Sequence, residues 1–373
     1  MPIVIQPYRE AHQTAVREFN QRLQAGGADP DLVFFTYANP RWLAPSEGAN
    51  LFQEYFVALD NGVVRGGYAL KQQDFYFSDG VTRRVGYYHH PLSEGIVNHT
   101  YAAVGAMLLK DAMNRSPLLY CLGMGGYDRP LPKMLMRLGW AHFSVPFYFH
   151  VVRPNRFLRE MNSLRTSTSR KLALDVAALT GTGWLGIKSV QGLRKLRAPK
   201  LAAVKAEKVD EFSDWADALW ERAKNQYAMT AVRDCQSLRI LYPASDPHFT
   251  RLRVRRDGQD IGWAVVGQRG KSDKYGALRV GSIVDCWAEP TDALPVVQAA
   301  SAALSDLGMD LIVSNQSHYR WAKALERAGF WNSSSSFIFA AGKGLSGLLQ
   351  PFAEKQSLLH FTRADGDGLP RNF

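Results

Sequence analysis

Two stretches decide how this chain is read: RRVGYYHHPLSEG, Arg83–Gly95, and LRVGSIVDCWAEP, Leu278–Pro290. Arg84-Val85-Gly86 in the first matches Arg279-Val280-Gly281 in the second, 195 positions later. On that register His90 aligns with Asp285, and Glu94 aligns with Glu289. Each stretch carries a short apolar run bounded by turn formers, the pattern of a β-strand.

The flanks repeat as well. FVALDNGVVRGGYAL (Phe56–Leu70) and LRVRRDGQDIGWAVV (Leu252–Val266) both alternate around an Asn-Gly or Asp-Gly pair, which predicts a hairpin in each half. Helical segments follow, HTYAAVGAMLLKDAM (His99–Met113) and ALPVVQAASAALSDLG (Ala293–Gly308). Short apolar strands come next, LLYCLGM (Leu118–Met124) and DLIVSNQ (Asp310–Gln316). Then come helices that stop at glycine plus an aromatic, KMLMRLGW (Lys133–Trp140) and KALERAGF (Lys323–Phe330). A β-rich run closes each half, FSVPFYFHVV (Phe143–Val152) and SSFIFAA (Ser335–Ala341). The constant order and offset predict an internal duplication. The expected fold class is α+β, two repeats, each a mixed, mostly antiparallel sheet flanked by helices. The expected boundaries are 1–152 for the N-terminal domain, 153–208 for a connector, 209–345 for the C-terminal domain and 346–373 for a tail.

Composition agrees. The 373 residues are 46% hydrophobic and 21% charged, enough for two cores at roughly 100–200 residues per domain. Three distant cysteines, Cys121, Cys235 and Cys286, form neither a disulfide framework nor a zinc cluster, and a reducing, cytoplasmic setting is expected. The stretch MPIVIQPYREAHQ lacks the long apolar core of a signal peptide and no run approaches roughly 18 apolar residues, so a soluble protein is expected. The net charge of +11 is concentrated, because residues 151–208 hold thirteen Lys/Arg against three Asp/Glu. That segment is read as a solvated connector, with an anionic membrane surface or polymer as its possible partner. No nucleic-acid module accompanies the charge, so nucleic acid is not expected.

The order hairpin, strand, loop, helix, strand, helix ending in LGW or AGF resembles the GNAT acyltransferase superfamily in both halves. That resemblance implies an acyl-coenzyme A-dependent N-acyltransferase, with N-acetyl transfer as the favoured form, and acetyl-CoA or another acyl-CoA as co-substrate. Its pyrophosphate would meet a loop of small residues at a helix N-terminus, where free N–H groups and the helix dipole favour an anion. The matching residues are Thr100, Tyr101, Ala102, Ala103, Val104 and Gly105. Ala103 and Gly105 fit the two small positions, and Thr100 departs from the usual Gln or Arg. The second half has Ala293-Leu-Pro-Val-Val-Gln298 there, with a proline and no glycine. The first repeat is therefore expected to hold the donor and the second to shape the acceptor side or support the fold, with the reverse assignment left open.

The resemblance also implies direct attack by an amine, with a base at the end of the central strand and an acid near the last helix. His90 and Glu94 are the base candidates, and Asp285 is either functional or partnered, since a buried unpaired carboxylate is costly. Tyr127 is the acid candidate, with His318 and Tyr319 in the comparable region of the second half. The expected acceptor is a small-molecule, amino-sugar or peptide-like amine. Two alternatives stand beside this: a catalytically silent tandem scaffold linked to cell-envelope or polysaccharide assembly, and a Fem-like aminoacyltransferase, although no long coiled-coil insertion is seen. No metal is expected, because His89 and His90 point to opposite faces of a strand and no ligand set completes them. Gly181-Thr-Gly-Trp-Leu-Gly186 matches a dinucleotide fingerprint in letters, without the strand before it or the acidic residue after it.

Overall fold

The computed structural model describes residues 3–40, 42–46, 48–162, 204–268 and 275–366, with Leu174, Ala178, Leu185, Gly186 and Ser189 between them. The first half of the chain contributes β1 (Val4–Pro7), α1 (Gln13–Ala25), β2 (Leu51–Asp60), β3 (Val63–Phe77), β4 (Thr82–Ser93), α2 (Val104–Arg115), β5 (Leu119–Gly123), α3 (Pro130–Arg137) and β6 (Ala141–Ser144). Next come β7 (Phe147–Val151), α4 (Pro154–Glu160), β8 (Val204–Val209), α5 (Asp214–Ala223), β9 (Met229–Ala231) and α6 (Cys235–Leu241). The rest is β10 (Phe249–Arg256), β11 (Gln259–Gln268), β12 (Val280–Ala288), α7 (Ala293–Asp306), β13 (Leu311–Asn315), α8 (Tyr319–Arg327), β14 (Trp331–Ser333), β15 (Ile338–Ala341), α9 (Lys343–Leu348) and β16 (Leu359–His360).

Two compact units result. The first comprises Met1–Phe75, Val81–Phe143 and Ile338–Phe352, and the second Tyr76–Gly80, Ser144–Phe337 and Ala353–Phe373. The strands of the first sheet run in the order β1-β2-β3-β4-β5-β15-β6. Those of the second run β8-β10-β11-β12-β13-β7-β14. The two orders correspond position by position, with one exchange. The strand beside β5 is β15, from the end of the chain, and the strand beside β13 is β7, from its middle. The closing runs therefore do not each close their own half, and the sheets do not part at residue 152. Two equivalent sheets offer the same slot to an apolar strand, and local pattern does not say which sheet it joins.

Much of the segment read as a connector lies outside the described residues, including 181–184 of the glycine-rich match. Its two ends are structured. Helix α4 buries Phe157 and Leu158 in the core of the second unit, with Val151, Val280 and Val313. Strand β8, VKAEKV, pairs with β10 and keeps its charged positions outward, as expected of an edge strand.

Both hairpins turn as their sequences require. Asn61 and Gly62 have φ of 49° and 81°, and Asp257 and Gly258 have 50° and 80°. Two left-handed residues in a row make the turn whose twist matches the flanking strands. The shared Arg-Val-Gly has a packing cause. A Cβ on Gly86 would lie 2.5 Å from Ser116 Oγ, and one on Gly281 would lie 2.7 Å from Leu304 Cδ2. At these glycines each central strand begins its parallel pairing. β4 meets β5 at Gly86 and Tyr87, and β12 meets β13 at Val280–Ser282. Among the described residues the parallel ladders end there, while β4 and β12 continue for several residues.

Candidate functional site: the first turn of α2 and the end of β4

Helix α2 is anchored by Val104, Leu108, Leu109 and Ala112, which pack on Phe56, Tyr68 and Tyr88 of the sheet. Full burial of a side chain such as Leu is worth roughly 1.5–3 kcal/mol, so the helix start is firmly placed. The approach to it is pinned from several sides. Glu94 is buried and is gripped by two guanidiniums, Arg22 at 3.1 Å and Arg65 at 2.9 Å. Arg65 also stacks on Tyr101, 4.2 Å from the ring centroid, and Tyr101 Oη donates to Asp60. Asn98 caps the short turn before the helix by accepting from Thr100 N–H at 3.1 Å.

Thr100, Tyr101 and Ala102 thus spend their N–H groups locally, on the Asn98 side chain, the Asn98 carbonyl and the His99 carbonyl. Among the described residues no protein acceptor takes the N–H groups of Ala103, Val104, Gly105 or Ala106 in good geometry. Ala102, Ala103 and Ala106 are exposed. A Cβ on Gly105 would have Ser93 Cβ at 4.0 Å as its only near neighbour, so glycine here leaves room that packing does not require. Free donors, a dipole and open space fit an anion such as a pyrophosphate.

The counterpart helix is different. Ala293, Leu294, Pro295, Val296 and Val297 of α7 are all buried, and Pro295 has no N–H. The space beyond the β12–β13 ladder is also taken, by the chain's own segment 359–365. Ser317 N–H donates to Phe361 O at 3.1 Å, Thr362 Oγ1 to Asp285 at 3.0 Å and Arg363 to Asn315 at 2.5 Å. Asp285 is therefore a partnered carboxylate. It also accepts from Arg233 at 2.7 Å and Tyr242 at 2.8 Å, while Arg233 reaches Asp365 at 2.6 Å. Burial raises the pKa of the Asp285 carboxyl against the pull of Arg233.

His318 caps α8, accepting from Arg320 N–H, and is buried against Tyr227. Burial, with Arg320 nearby, lowers its pKa from 6.5 to about 4. The unfolded chain takes up that proton more readily between these values. Stability is therefore expected to fall as pH drops from about 6.5 to about 4, by up to about 3 kcal/mol. That figure is the His318 share; urea melts across the range measure the whole, and His318→Gln should reduce the dependence to what the other buried histidines, His89 and His360, leave. Tyr319, next to it, packs under Arg320 and Lys323.

In the first unit His90 turns away from the strand end. Its φ is 50°, a left-handed backbone rather than the extended form expected before proline. Its ring lies against Phe34 and Phe35, and Nε2 bonds the Val33 carbonyl at 2.8 Å. Tyr127 follows four left-handed residues, Gly123–Gly126, and its hydroxyl lies 3.3 Å from His142 Nδ1.

His89, weighed above only as a metal ligand, is the other histidine of the strand. It is buried, on the face of β4 opposite Tyr88, and its Nε2 lies 2.9 Å from Gln53 Oε1. Gln53 in turn donates to Tyr55 Oη at 3.0 Å. Tyr87 stacks on the imidazole at 4.7 Å and sends its hydroxyl to Leu122 O on β5 at 2.8 Å. The available signal was the spacing of Gln53 and Tyr55, which places both on one face of β2.

No family model matches the chain, and a search of curated proteins finds no match. Solved structures do match. Saccharomyces cerevisiae N-myristoyltransferase with bound myristoyl-CoA aligns over 91% of this chain and 78% of its own, at 9% identity and a TM-score of 0.55. A GCN5-related N-acetyltransferase from Anabaena variabilis aligns over 91% and 72%, at 10% identity and a TM-score of 0.50. The fold is a duplicated GNAT fold. At such identities the likeness is one of fold, and within it the first GNAT unit presents the open helix start and the second the closed one. Among the described residues no helix is long and apolar enough to cross a membrane.

Proposed function

We propose that the chain transfers an acyl group from an acyl-coenzyme A to an amine, with the donor's pyrophosphate at the first turn of α2. The observation that carries this is the asymmetry between the two GNAT units. The start of α2 is open and has unused N–H donors, and the start of α7 is buried. On this reading the amine attacks the thioester directly, and the acceptor is a small amine, an amino sugar or a peptide-like amine. Tyr127, whose hydroxyl lies 3.3 Å from His142 Nδ1, is the candidate donor of a proton to the leaving thiolate. Glu94 serves to fix the loop through Arg22 and Arg65. Catalytic silence is assigned to the second unit alone. Three free, buried cysteines accord with a reducing, cytoplasmic setting.

Acyl length is an open variable of the proposal, since one fold neighbour carries myristoyl-CoA and another is named an acetyltransferase. Calorimetric titration with acetyl- and myristoyl-coenzyme A is expected to give one site per chain for at least one of them. Absence of heat and of competition for both donors would end the reading, and two equivalent sites would end the assignment to one unit.

A further inference from the structure

We propose that His89 is the proton acceptor for the incoming amine, and that Gln53, held by Tyr55, is the positioning residue that presents its Nδ1 lone pair. The inference rests on the acyl-transfer reading. Its geometry is independent of that reading. A carbonyl oxygen only accepts, so the 2.9 Å contact to Gln53 Oε1 places the imidazole proton on Nε2. Gln53 is kept in that orientation by its own donation to Tyr55 Oη. Tyr55 is clamped by Phe35, stacked at 4.2 Å and 10°. With Nε2 committed, Nδ1 carries the lone pair, and among the described residues no protein group bonds it. The face of the ring is fixed by Tyr87, nearly parallel at 6°. A neutral imidazole held in one tautomer, one rotation and one free lone pair is the arrangement a base needs.

The position suits the role. His89 lies on the continuation of β4 beyond its pairing with β5, on the sheet face away from α2. A donor whose phosphates rest at α2 on one face would present its thioester toward the other through that gap. As the C–N bond forms and the C–S pair leaves on sulfur, the amine's proton passes to Nδ1. The imidazolium then releases it to solvent, and the thiolate takes a proton in turn. Burial keeps the imidazole unprotonated, lowering its pKa well below 6.5, and Lys71 of β3 and His90 of β4 act in the same direction. Among the described residues, Gln53 of β2 and Tyr87 of β4 contact the ring, and neither carries a charge at neutral pH.

Two measurements test this on the full chain. Long-range proton–nitrogen NMR with labelled histidine is expected to show His89 as the Nε2–H tautomer at pH 7, and Gln53→Leu to lose that preference. An Nδ1–H tautomer or an imidazolium in the wild type overturns the proposal. Turnover is then followed with acetyl- and myristoyl-coenzyme A against a polyamine, an amino sugar and a peptide amine. His89→Asn is expected to lose 100-fold or more in kcat with donor binding unchanged, within the usual range for a general base. Gln53→Glu, which sets a carboxylate against Nε2, is expected to shift the acid limb of kcat upward by at least one pH unit. Full activity of His89→Asn, or an unmoved limb in Gln53→Glu, overturns the base role while leaving acyl transfer intact. Failure of both donors to bind the wild type overturns acyl transfer itself, and the base role with it.

Discussion

Gly105→Asp is expected to weaken binding of acyl-coenzyme A by 10- to 100-fold while leaving the protein at least as stable as before. The substitution separates the two roles of a helix start. A carboxylate in the first turn of α2 interacts favourably with the dipole, by about 0.3–1 kcal/mol. Replacing a helical glycine adds a stabilisation of the same order through lost backbone entropy in the unfolded chain. Space permits it, since the new Cβ would meet only Ser93 Cβ, at 4.0 Å. A pyrophosphate at the same N–H groups would meet a like charge in the place it needs. A tenfold loss in affinity corresponds to about 1.4 kcal/mol, a modest demand on two anions in contact. Gly105→Ala is the control, with binding near wild type and stability slightly raised. Gln298→Asp, at the aligned position of α7, is expected to leave donor binding unchanged. Calorimetry with thermal melts reads both quantities. Equal donor affinity in Gly105→Asp and wild type would remove α2 as the phosphate site.

The contrast between α2 and α7 was legible in the residues themselves. Gly105 against Gln298, and a proline at position 295, already separated an open helix start from a closed one. The hairpins were legible because Asn-Gly and Asp-Gly demand left-handed backbone, and the central strands because Gly86 and Gly281 sit at the same close approach. The first strand and helix of each repeat were not. β1 and β8 are short edge strands: β1, Val4–Pro7, has four residues and ends in a proline, and β8 carries Lys205, Glu207 and Lys208 inside a basic segment that reads as linker. The strand exchange was invisible for another reason. The runs around Phe147–Val151 and Ile338–Ala341 are interchangeable in pattern, and chain order favours the nearer sheet. At the site, alignment of the repeats drew the eye to His90 and Asp285. The kink at His90, φ 50°, turns that side chain toward Phe34 and Phe35. Which of two adjacent histidines faces a polar partner depends on such a kink, and on Gln53 from a strand 36 residues earlier. Glu94 was conspicuous as a carboxylate beside the loop, but its two arginines come from α1 and β3, distant in sequence.

Arg233→Met is expected to destabilise the second unit by about 3–5 kcal/mol, the usual result of removing one partner from a buried ionic group. Arg233 is 1% exposed and stands between Asp285 and Asp365, both fully buried. Its loss would remove the guanidinium that both carboxylates share, while Tyr242, Thr362 and local N–H donors, which carry no charge, stay in place. Desolvation would then raise the Asp285 carboxyl pKa further above its unfolded value. A folded state that holds its protons more tightly loses stability as pH rises, so the defect should be largest at neutral pH and shrink toward pH 4. Wild type should show the opposite trend over that range, because His318 takes up its proton on unfolding there. Replacing the whole group, as Arg233→Met with Asp285→Leu and Asp365→Leu, should recover much of the loss, since an apolar cluster of similar volume carries no desolvation penalty. The segment 359–365 reports locally on the same event. It is tied to β12 through Thr362 and Asp285, to the end of β13 through Ser317 and Arg363, and to Arg233 through Asp365. In Arg233→Met its amides should exchange with solvent before those of β12. Should the segment stay protected and the melt move by less than about 1 kcal/mol, the space beyond the β12–β13 ladder is closed by aromatic packing of Tyr227, Trp287, Trp321 and His360 instead of by charge.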